Sequence, residues 1–185
     1  TFAGKIIYMA EDLEIIQGTK AEQYEALLPQ INGLLTGEPD FIANMANTAA
    51  ALKEQFGWLW VGFYIVKNDE LVLGPFQGPV ACTRIKKGRG VCGAAWQQAV
   101  TLIVPDVEKF PGHIACSSLS KSEIVLPLFN KNNEVAAVLD VDSAELNSFD
   151  ETHKNYLQRT FKLARLFFWP DIYCFTTSLP GKAGY

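Results

Sequence analysis

The chain has 185 residues, of which 49% are hydrophobic and 12% aromatic, and its formal net charge is -4. This length suits one domain, and such a hydrophobic content is well above that of disordered chains. The acidic balance argues against a nucleic-acid-binding protein, because phosphate backbones attract basic surfaces. The sequence has neither a signal-peptide pattern nor an apolar run near the roughly 20 residues of a membrane span. We therefore expect a cytoplasmic protein.

The first third of the chain has the spacing of two amphipathic helices. Thr19 and Glu22 form a capping-box pattern ahead of apolar residues at helical spacing, which predicts a helix that runs to Leu35. Asp40 follows a Gly-Glu-Pro break and can cap a second helix that reaches Phe56. We expect both apolar stripes to pack against the core of the domain.

The middle of the chain changes to the pattern of strands. Trp58–Val66 and Glu70–Pro75 are rich in aromatic and aliphatic residues and flank a Lys-Asn-Asp turn, which predicts a β-hairpin. The pattern then favours a short strand at Thr83–Lys86, a short helix at Val91–Gln98 and a strand at Thr101–Val104. Strands therefore follow the two helices along the chain.

Residues 105–122 have little regular pattern, and long irregular segments in compact domains commonly carry function. After this segment the strand pattern returns. Ile124–Phe129 and Val135–Val141, on either side of a turn at residues 130–133, predict a second β-hairpin.

Ser148 or Asp150 can cap a closing helix that runs to about Phe168. Residues 171–185 have no periodicity, so we predict one domain over residues 1–170 followed by an irregular tail. Because hairpins dominate the strands, the predicted fold class is α+β, with a mostly antiparallel central sheet and helices packed on one face. The long irregular segment is expected to cap a pocket on the other face.

Four cysteines, Cys82, Cys92, Cys116 and Cys174, are informative because structural disulfides are rare in a reducing compartment. An isolated cysteine is most simply a buried apolar side chain, and the other roles are metal ligand and redox-active thiol. Cys92 follows a Gly-rich turn at a helix start, where the helix dipole stabilises a thiolate. His113 and Cys116 are spaced as a ligand pair might be, and Cys82 and Cys92 could complete a zinc site, although no CxxC or HxxxH motif supports it.

Three carboxyl groups are a second set of candidates. Glu123 begins one strand of the second hairpin, and Asp140 and Asp142 end the other strand on one face, because side chains alternate along a strand. Neighbouring acids repel each other unless a cation, a metal ion or a proton lies between them. The sequence leaves open whether these acids form a site or only mark where the strand enters solvent.

Aromatic rings on the first predicted strand could complete a small-molecule pocket. Alternation places Trp58, Trp60 and Tyr64 on one face of the strand. Such a face can pack in the core, or it can form an aromatic wall beside a ligand that carries a cationic amine.

Seven short blocks occur in one order along the chain. They are WVGFY (60–64), LGPFQG (73–78), AC (81–82), GVCG (90–93), GHIAC (112–116), SEIV (122–125) and LDVDS (139–143). Each block is weak by itself, but the ordered series closely resembles the free methionine-(R)-sulfoxide reductase family, a catalytic branch of the GAF domains. The resemblance extends roughly over residues 41–168 and implies a GAF-like fold.

The resemblance implies an enzyme that reduces free L-methionine-(R)-S-oxide to L-methionine with cysteine thiols, without a metal or an organic cofactor. By position, Cys116 is similar to the family's nucleophile and Cys82 to the resolving thiol that forms a disulfide with it. Cys92 is similar to a further, supporting cysteine. The family implies thioredoxin as the reductant, and its habits favour a homodimer.

The same resemblance assigns the substrate-binding residues. Glu123, Asp140 and Asp142 are similar to acids that hold the substrate and assist protonation of its oxygen, and Trp60 and Tyr64 to aromatics that wall the pocket. The sequence departs from the family directly after the nucleophile, where serine replaces a frequent aspartate, and in its tail, which has no counterpart in the family.

Two other classes of function remain open at this point. A ligand-sensing GAF module would bind a small molecule without converting it. A zinc-stabilised structural protein would carry close to one metal ion per chain and lose its fold on chelation. Turnover distinguishes the first alternative from an enzyme, and metal content distinguishes the second.

Overall fold

The structure, a computed structural model, describes residues 12–113, 117–163 and 172–173. Every element that the sequence predicts in these ranges is present, with ends shifted by one or two residues; the predicted end of the last helix near Phe168 lies outside them. The helices are α1 (Lys20–Leu35), α2 (Phe41–Phe56), α3 (Gly90–Gln98) and α4 (Glu151–Leu163). The strands are β1 (Trp60–Lys67), β2 (Glu70–Gln77), β3 (Arg84–Lys86), β4 (Leu102–Val104), β5 (Ser122–Asn130), β6 (Val135–Ser143) and β7 (Ile172–Tyr173).

The predicted helix caps are present at the starts of α1 and α2. The Glu22 amide donates to Thr19 Oγ1 at 3.3 Å, and the Thr19 amide donates to Glu22 Oε2 at 2.8 Å, which completes the capping box. Asp40 Oδ1 accepts a hydrogen bond from the Ile42 amide at 2.8 Å. No helix in the described part of the chain is both long and apolar enough to cross a membrane.

The strands form one sheet in which every pairing is antiparallel, in the order β3-β2-β1-β6-β5-β4. The two predicted hairpins are the pairs β1–β2 and β5–β6, and they lie side by side because β1 also pairs with β6. Asn68 and Asp69 take positive φ values of 51° and 61° in the first hairpin turn, as tight hairpin turns require. The sheet and its helices confirm the predicted α+β fold class.

The prediction that residues 171–185 are wholly irregular is wrong at Ile172 and Tyr173. These two residues form β7 and pair antiparallel with Asn130 and Phe129 of β5. On this edge of β5 the short strand β4 pairs only with residues 123–125. The backbone groups at the far end of β5 are therefore available for pairing with β7. A two-residue strand is too short to produce a periodic pattern in the sequence.

Three helices cover one face of the sheet, as predicted. Leu27, Leu52 and Leu157 belong to α1, α2 and α4, and they share one buried apolar cluster with Val61 and Leu126 of the sheet. This cluster is the main core of the domain, and it supports β1, β5 and β6 from behind.

The short helix α3 lies on the opposite face, which the sequence did not predict. Val91, Ala95 and Trp96 of this helix share a second buried cluster with Trp60 and Tyr64 of β1. The two faces of β1 therefore have different partners, and the aromatic face is the one beside α3.

The expectation that Trp58 shares a face with Trp60 and Tyr64 is wrong. Strand alternation begins only at Trp60, and Trp58 lies in the irregular stretch between α2 and β1. Its ring stacks on Phe56 with centroids 4.4 Å apart and contacts Phe149 at 5.5 Å, within the helix-covered core. Alternation predicts a shared face only for residues within one extended strand.

Gly62 allows two aromatic rings to lie close to the sheet on the α3 side. A Cβ atom at this position would lie 2.3 Å from Phe76 Cβ and 2.5 Å from the Trp60 ring. The Trp60 ring stacks on Phe76 at 5.3 Å and on Tyr64 at 5.9 Å between centroids. A glycine is therefore required here by close approach.

We expect Gly62→Ala to lower the free energy of unfolding by about 1–3 kcal/mol, because the added methyl group overpacks the ring stack. Urea unfolding followed by circular dichroism measures this change. Gly33→Ala is the matched control, since Gly33 lies in α1 and a Cβ there meets no atom within 4 Å. This control should raise stability by roughly 0.5–1 kcal/mol. Wild-type stability in Gly62→Ala would contradict the close approach.

Candidate functional site

The three candidate acids lie next to each other on β5 and β6. Glu123 pairs with Asp142 across these strands, and Asp142 pairs on its other side with Trp60 of β1. Asp140 lies two residues before Asp142, so it points to the same face, and it pairs with Gly62. The register of three strands therefore brings the acids and the aromatic face of β1 together.

A cavity of about 620 Å³, counting the space at its mouth, lies beside this group of residues. Its lining includes all five predicted substrate-binding residues and one predicted cysteine: Trp60, Tyr64, Glu123, Asp140, Asp142 and Cys92. Further polar lining comes from Arg89, His113, Ser117 and Ser120.

Glu123 and Asp140 are buried in the fold and Asp142 is half-buried, so the interpretation that these acids mark the exit of a strand into solvent is wrong. Only 6% of Glu123 and 7% of Asp140 is exposed. Asp142 accepts a hydrogen bond from the Ser120 hydroxyl. Asp140 Oδ1 is buried and has no hydrogen-bond partner among the described residues. Unpartnered oxygens of this kind are rare in folded proteins, and they require an explanation.

Burial changes the acidity of all three carboxyl groups. It raises the pKa of Glu123 and of Asp140 well above the ordinary values, and the charges of neighbouring acids raise both further. Burial also raises the pKa of Asp142 to about 6, against the opposing hydrogen bond from Ser120. A hydrogen bond between Glu123 and Asp140 raises the pKa of Glu123 and lowers that of Asp140. Both carboxyl groups therefore hold a proton more strongly than exposed acids do.

The expectation that the start of α3 stabilises a Cys92 thiolate is wrong. Cys92 is only 4% exposed, and its thiol donates to Glu123 Oε1 over 3.8 Å. Burial raises the pKa of this thiol well above its ordinary value, and the charges of Asp140 and Glu123 raise it further. The helix dipole is a weaker effect than desolvation beside two acids.

Of the other three cysteines, Cys82 lies in the described part of the chain. Cys82 is disulfide-bonded, whereas Cys92 is a free thiol. A disulfide sulfur cannot act as a zinc thiolate, so this structure contradicts the four-residue zinc site that includes Cys82. Cys116 and Cys174 lie outside the described residues.

Sequence reasoning missed two features of the cavity. Ser120, which donates to Asp142, has no distinguishing local pattern, and its role depends on where β5 begins. The Trp60 indole donates from Nε1 to the carbonyl of Pro79 at 3.1 Å, which holds the segment after β2 against the ring. The block that ends at Gly78 is the only sequence signal near this contact.

The long segment between β4 and β5 contributes His113, Ser117 and Ser120 to the cavity lining. It is not wholly irregular, since Val107–Lys109 forms a 3-10 turn. Residues 114–116 lie outside the described part of this segment. The prediction that the segment caps the pocket therefore stays a prediction.

Comparison with known proteins gives one consistent family. Residues 37–165 match the GAF domain family. The chain is 44% identical over 164 residues to the free methionine-R-sulfoxide reductase of Escherichia coli (strain K12), which covers 88% of this chain and 99% of that protein. It is 72% identical over 156 residues to GAF domain-containing protein A of Dictyostelium discoideum, with coverage of 84% and 98%.

The fold also has solved relatives. It is similar to the X-ray structure of free methionine-R-sulfoxide reductase from Neisseria meningitidis in complex with its substrate, with a TM-score of 0.82 and 54% identity. The match covers 85% of this chain and 95% of that one. These similarities confirm the GAF-like fold and the family expected from the seven sequence blocks.

The raised pKa values predict how stability depends on pH. Below about pH 4 the acids are protonated in both the folded and the unfolded chain. As the pH rises toward the folded pKa values, about 6 for Asp142, only the unfolded chain loses protons, so stability falls. We expect Glu123→Gln to be more stable than wild type at pH 8, by roughly 1 kcal/mol or more, and similar at pH 4.

Urea unfolding at pH 4 to 8 without substrate measures this difference. Glu54→Gln is the matched control, because Glu54 is exposed on α2. A pH dependence in Glu123→Gln as steep as that of wild type would contradict the buried, proton-holding state of this carboxyl.

Proposed function

The chain belongs to the free methionine-(R)-sulfoxide reductases, a family of GAF domains, and we propose that it reduces free L-methionine-(R)-S-oxide to L-methionine with cysteine thiols. The observation that carries this proposal is the cluster of two buried acids, Glu123 and Asp140, with the half-buried Asp142, in a cavity that Trp60 and Tyr64 also line. A free amino-acid sulfoxide needs both a negative charge for its ammonium group and a proton for its oxygen. The cluster can supply both.

We assign the negative charge to Asp142 and the proton to Glu123. The pKa of Asp142 is raised only to about 6, so this carboxyl is largely ionised at pH 7 and can pair with the substrate ammonium. The pKa of Glu123 is raised well above its ordinary value by burial and by two acidic neighbours, so it keeps its proton. A carboxylic acid that is protonated at neutral pH is suited to general acid catalysis. Asp140 accepts the hydrogen bond that orients this acid.

Trp60 and Tyr64 form the apolar wall of the same cavity. Their stacked rings offer apolar surface to the methyl-sulfur end of the substrate. Peptide-bound methionine sulfoxide lacks the free α-ammonium group. The pairing with Asp142 therefore selects the free amino acid.

The thiol chemistry requires two cysteines. We propose that the Cys116 thiolate attacks the sulfoxide sulfur while Glu123 protonates the oxygen, which releases methionine and leaves Cys116 as a sulfenic acid. The Cys82 thiol then attacks this sulfenic sulfur, a disulfide forms, and water leaves. The sum is one sulfoxide and two thiols converted to one sulfide, one disulfide and one water. The disulfide-bonded state of Cys82 supports its role as the resolving cysteine.

Cys92 has a supporting role in this scheme. Its thiol is buried and protonated, which makes it a poor nucleophile, because the thiolate is the reactive form. It donates to Glu123 and so helps to hold the acid in place. Three further features are part of the proposal: thioredoxin as the dithiol that reduces the disulfide, a homodimeric cytoplasmic enzyme, and a catalytic domain that ends near residue 170.

We expect Cys116→Ser to abolish turnover, because it removes the attacking sulfur. Cys82→Ser should still convert about one equivalent of substrate, but thioredoxin should no longer recycle it efficiently. Incubation with racemic methionine sulfoxide and either dithiothreitol or a thioredoxin system, followed by chiral product analysis, measures both effects. Cys174→Ser is the control and should behave like wild type.

Normal turnover by Cys116→Ser would contradict the assigned thiol roles. Binding of the substrate by wild type without loss of the R epimer would instead favour a ligand-sensing GAF module.

The two acid roles predict different kinetic changes. Asp142→Asn should mainly raise KM, by about tenfold or more, because it removes the charge that pairs with the ammonium group. Glu123→Gln should mainly lower kcat by about tenfold or more, because an amide cannot donate the required proton. Steady-state kinetics across substrate concentrations separates the two parameters. Glu54→Gln is again the control, and wild-type kinetics in both site variants would contradict the proposal.

A further inference from the structure

One side of the acid cluster has the donor atoms of a metal site. Cys92, Glu123 and Asp140, called here the mixed-donor triad, each place one ligand atom within 4.8 Å of the others. Cys92 Sγ and Glu123 Oε1 are 3.8 Å apart. A tetrahedral zinc ion holds a thiolate at about 2.3 Å and a carboxylate oxygen at about 2.0–2.2 Å, which puts these two ligands roughly 3.5 Å apart. Only a small side-chain movement separates the triad from this geometry.

A second feature, the hydrogen bonding of Asp140, also favours a cation at this position. Asp140 is only 7% exposed, it lines the cavity, and its Oδ1 has no hydrogen-bond partner among the described residues. A buried carboxylate oxygen without a partner is unfavourable, and a cation beside it would remove that penalty. The hydrogen bonds within the triad leave this oxygen free to act as a ligand.

We propose that Cys92, Glu123 and Asp140 bind a thiophilic divalent cation, with Zn²⁺ as the natural candidate, and that the bound ion prevents substrate binding. The metal–sulfur bond forms as the Cys92 thiol proton passes to solvent, and the carboxylates bind in their ionised form, so no oxidation or reduction occurs. The fourth coordination position faces the cavity and takes a water molecule. The binding part of the inference is independent of the proposed function, and only its inhibitory consequence rests on that function.

The donor set favours soft metals over hard ones. A thiolate ligand selects Zn²⁺ or Cd²⁺, whereas Mg²⁺ prefers an octahedral set of oxygen ligands. The ion would use Glu123, which we assign to proton donation, and Asp140, which orients that acid, and its water-bearing fourth position would fill the cavity that we assign to the substrate. Metal binding and substrate binding are therefore mutually exclusive.

Cd²⁺ titration of the oxidised protein, in which Cys82 is disulfide-bonded, tests sulfur ligation directly. We expect a thiolate-to-cadmium charge-transfer band in the ultraviolet that saturates at one ion per chain. Cys92→Ser should lose this band, and the matched variant Cys174→Ser should keep it. An excess of Mg²⁺ should not displace Cd²⁺ from the site or weaken this band. An unchanged band in Cys92→Ser, or no band in wild type, would overturn the proposal.

A second variant tests the carboxylate ligand while keeping the thiol. Asp140→Asn should weaken Zn²⁺ binding by at least about tenfold, as measured by competition with a chromophoric chelator. His113→Ala is the matched control, because His113 lines the same cavity outside the triad. Thermal unfolding of each variant identifies any that fail to fold. An equal loss of Zn²⁺ affinity in His113→Ala, or no loss in Asp140→Asn, would overturn the proposal that the triad holds the ion.

The effect on turnover separates the metal site from the proposed function. Zn²⁺ should raise the apparent KM of wild type for methionine sulfoxide, and a chelator should restore it. If metal-free wild type has no turnover but binds Cd²⁺ through Cys92, the proposed function fails and the metal site stands. If turnover is normal and Zn²⁺ neither binds nor inhibits, the metal site fails and the proposed function stands.

Discussion

Charging a carboxyl group away from water is unfavourable, and this fold places three such groups on neighbouring positions of one sheet face. Glu123 of β5 pairs with Asp142 of β6, and Asp140 lies two residues before Asp142 on the same face of the sheet. The cost appears as raised pKa values for all three groups. Because the three environments differ, one carboxyl can be ionised at neutral pH while another stays protonated. The proposed division between substrate binding and proton donation follows from that difference.

The rest of the domain holds this arrangement in place. Helices α1, α2 and α4 bury the back of the sheet, so the acids project from strands that are supported on their other side. On the front, α3 brings Cys92 to Glu123, and Gly62 lets the rings of Trp60 and Tyr64 approach the strand. Functional groups on a rigid sheet keep their geometry better than groups on loops. The acids are thus positioned by strands, and the long segment that follows β4 adds the Ser120 hydroxyl that donates to Asp142.

The cysteines have different environments for the same reason. Cys92 lies inside the acidic cavity, where its thiol stays protonated and bonds to Glu123. Cys82 is disulfide-bonded instead. A neutral thiol beside two carboxyl groups contributes little to redox chemistry, but the same three groups match the ligands of a thiophilic cation. One constraint, burial among acids, therefore explains both the supporting role of Cys92 and the metal site inferred for it.

The sequence by itself determined the elements, the fold class and six of the residues that line the cavity. The caps at Thr19 and Asp40 and the hairpin turns depend on contacts between residues close in the chain, and alternation within a strand put Asp140 and Asp142 on one side. Only the tertiary structure decided that Glu123 and Asp140 are buried, that Trp58 faces the helices and that Cys92 stays protonated. These properties depend on residues distant in sequence, such as Cys92 and Glu123, 31 positions apart. Local patterns carry no information about such contacts, because burial and acidity are set by everything that packs around a group.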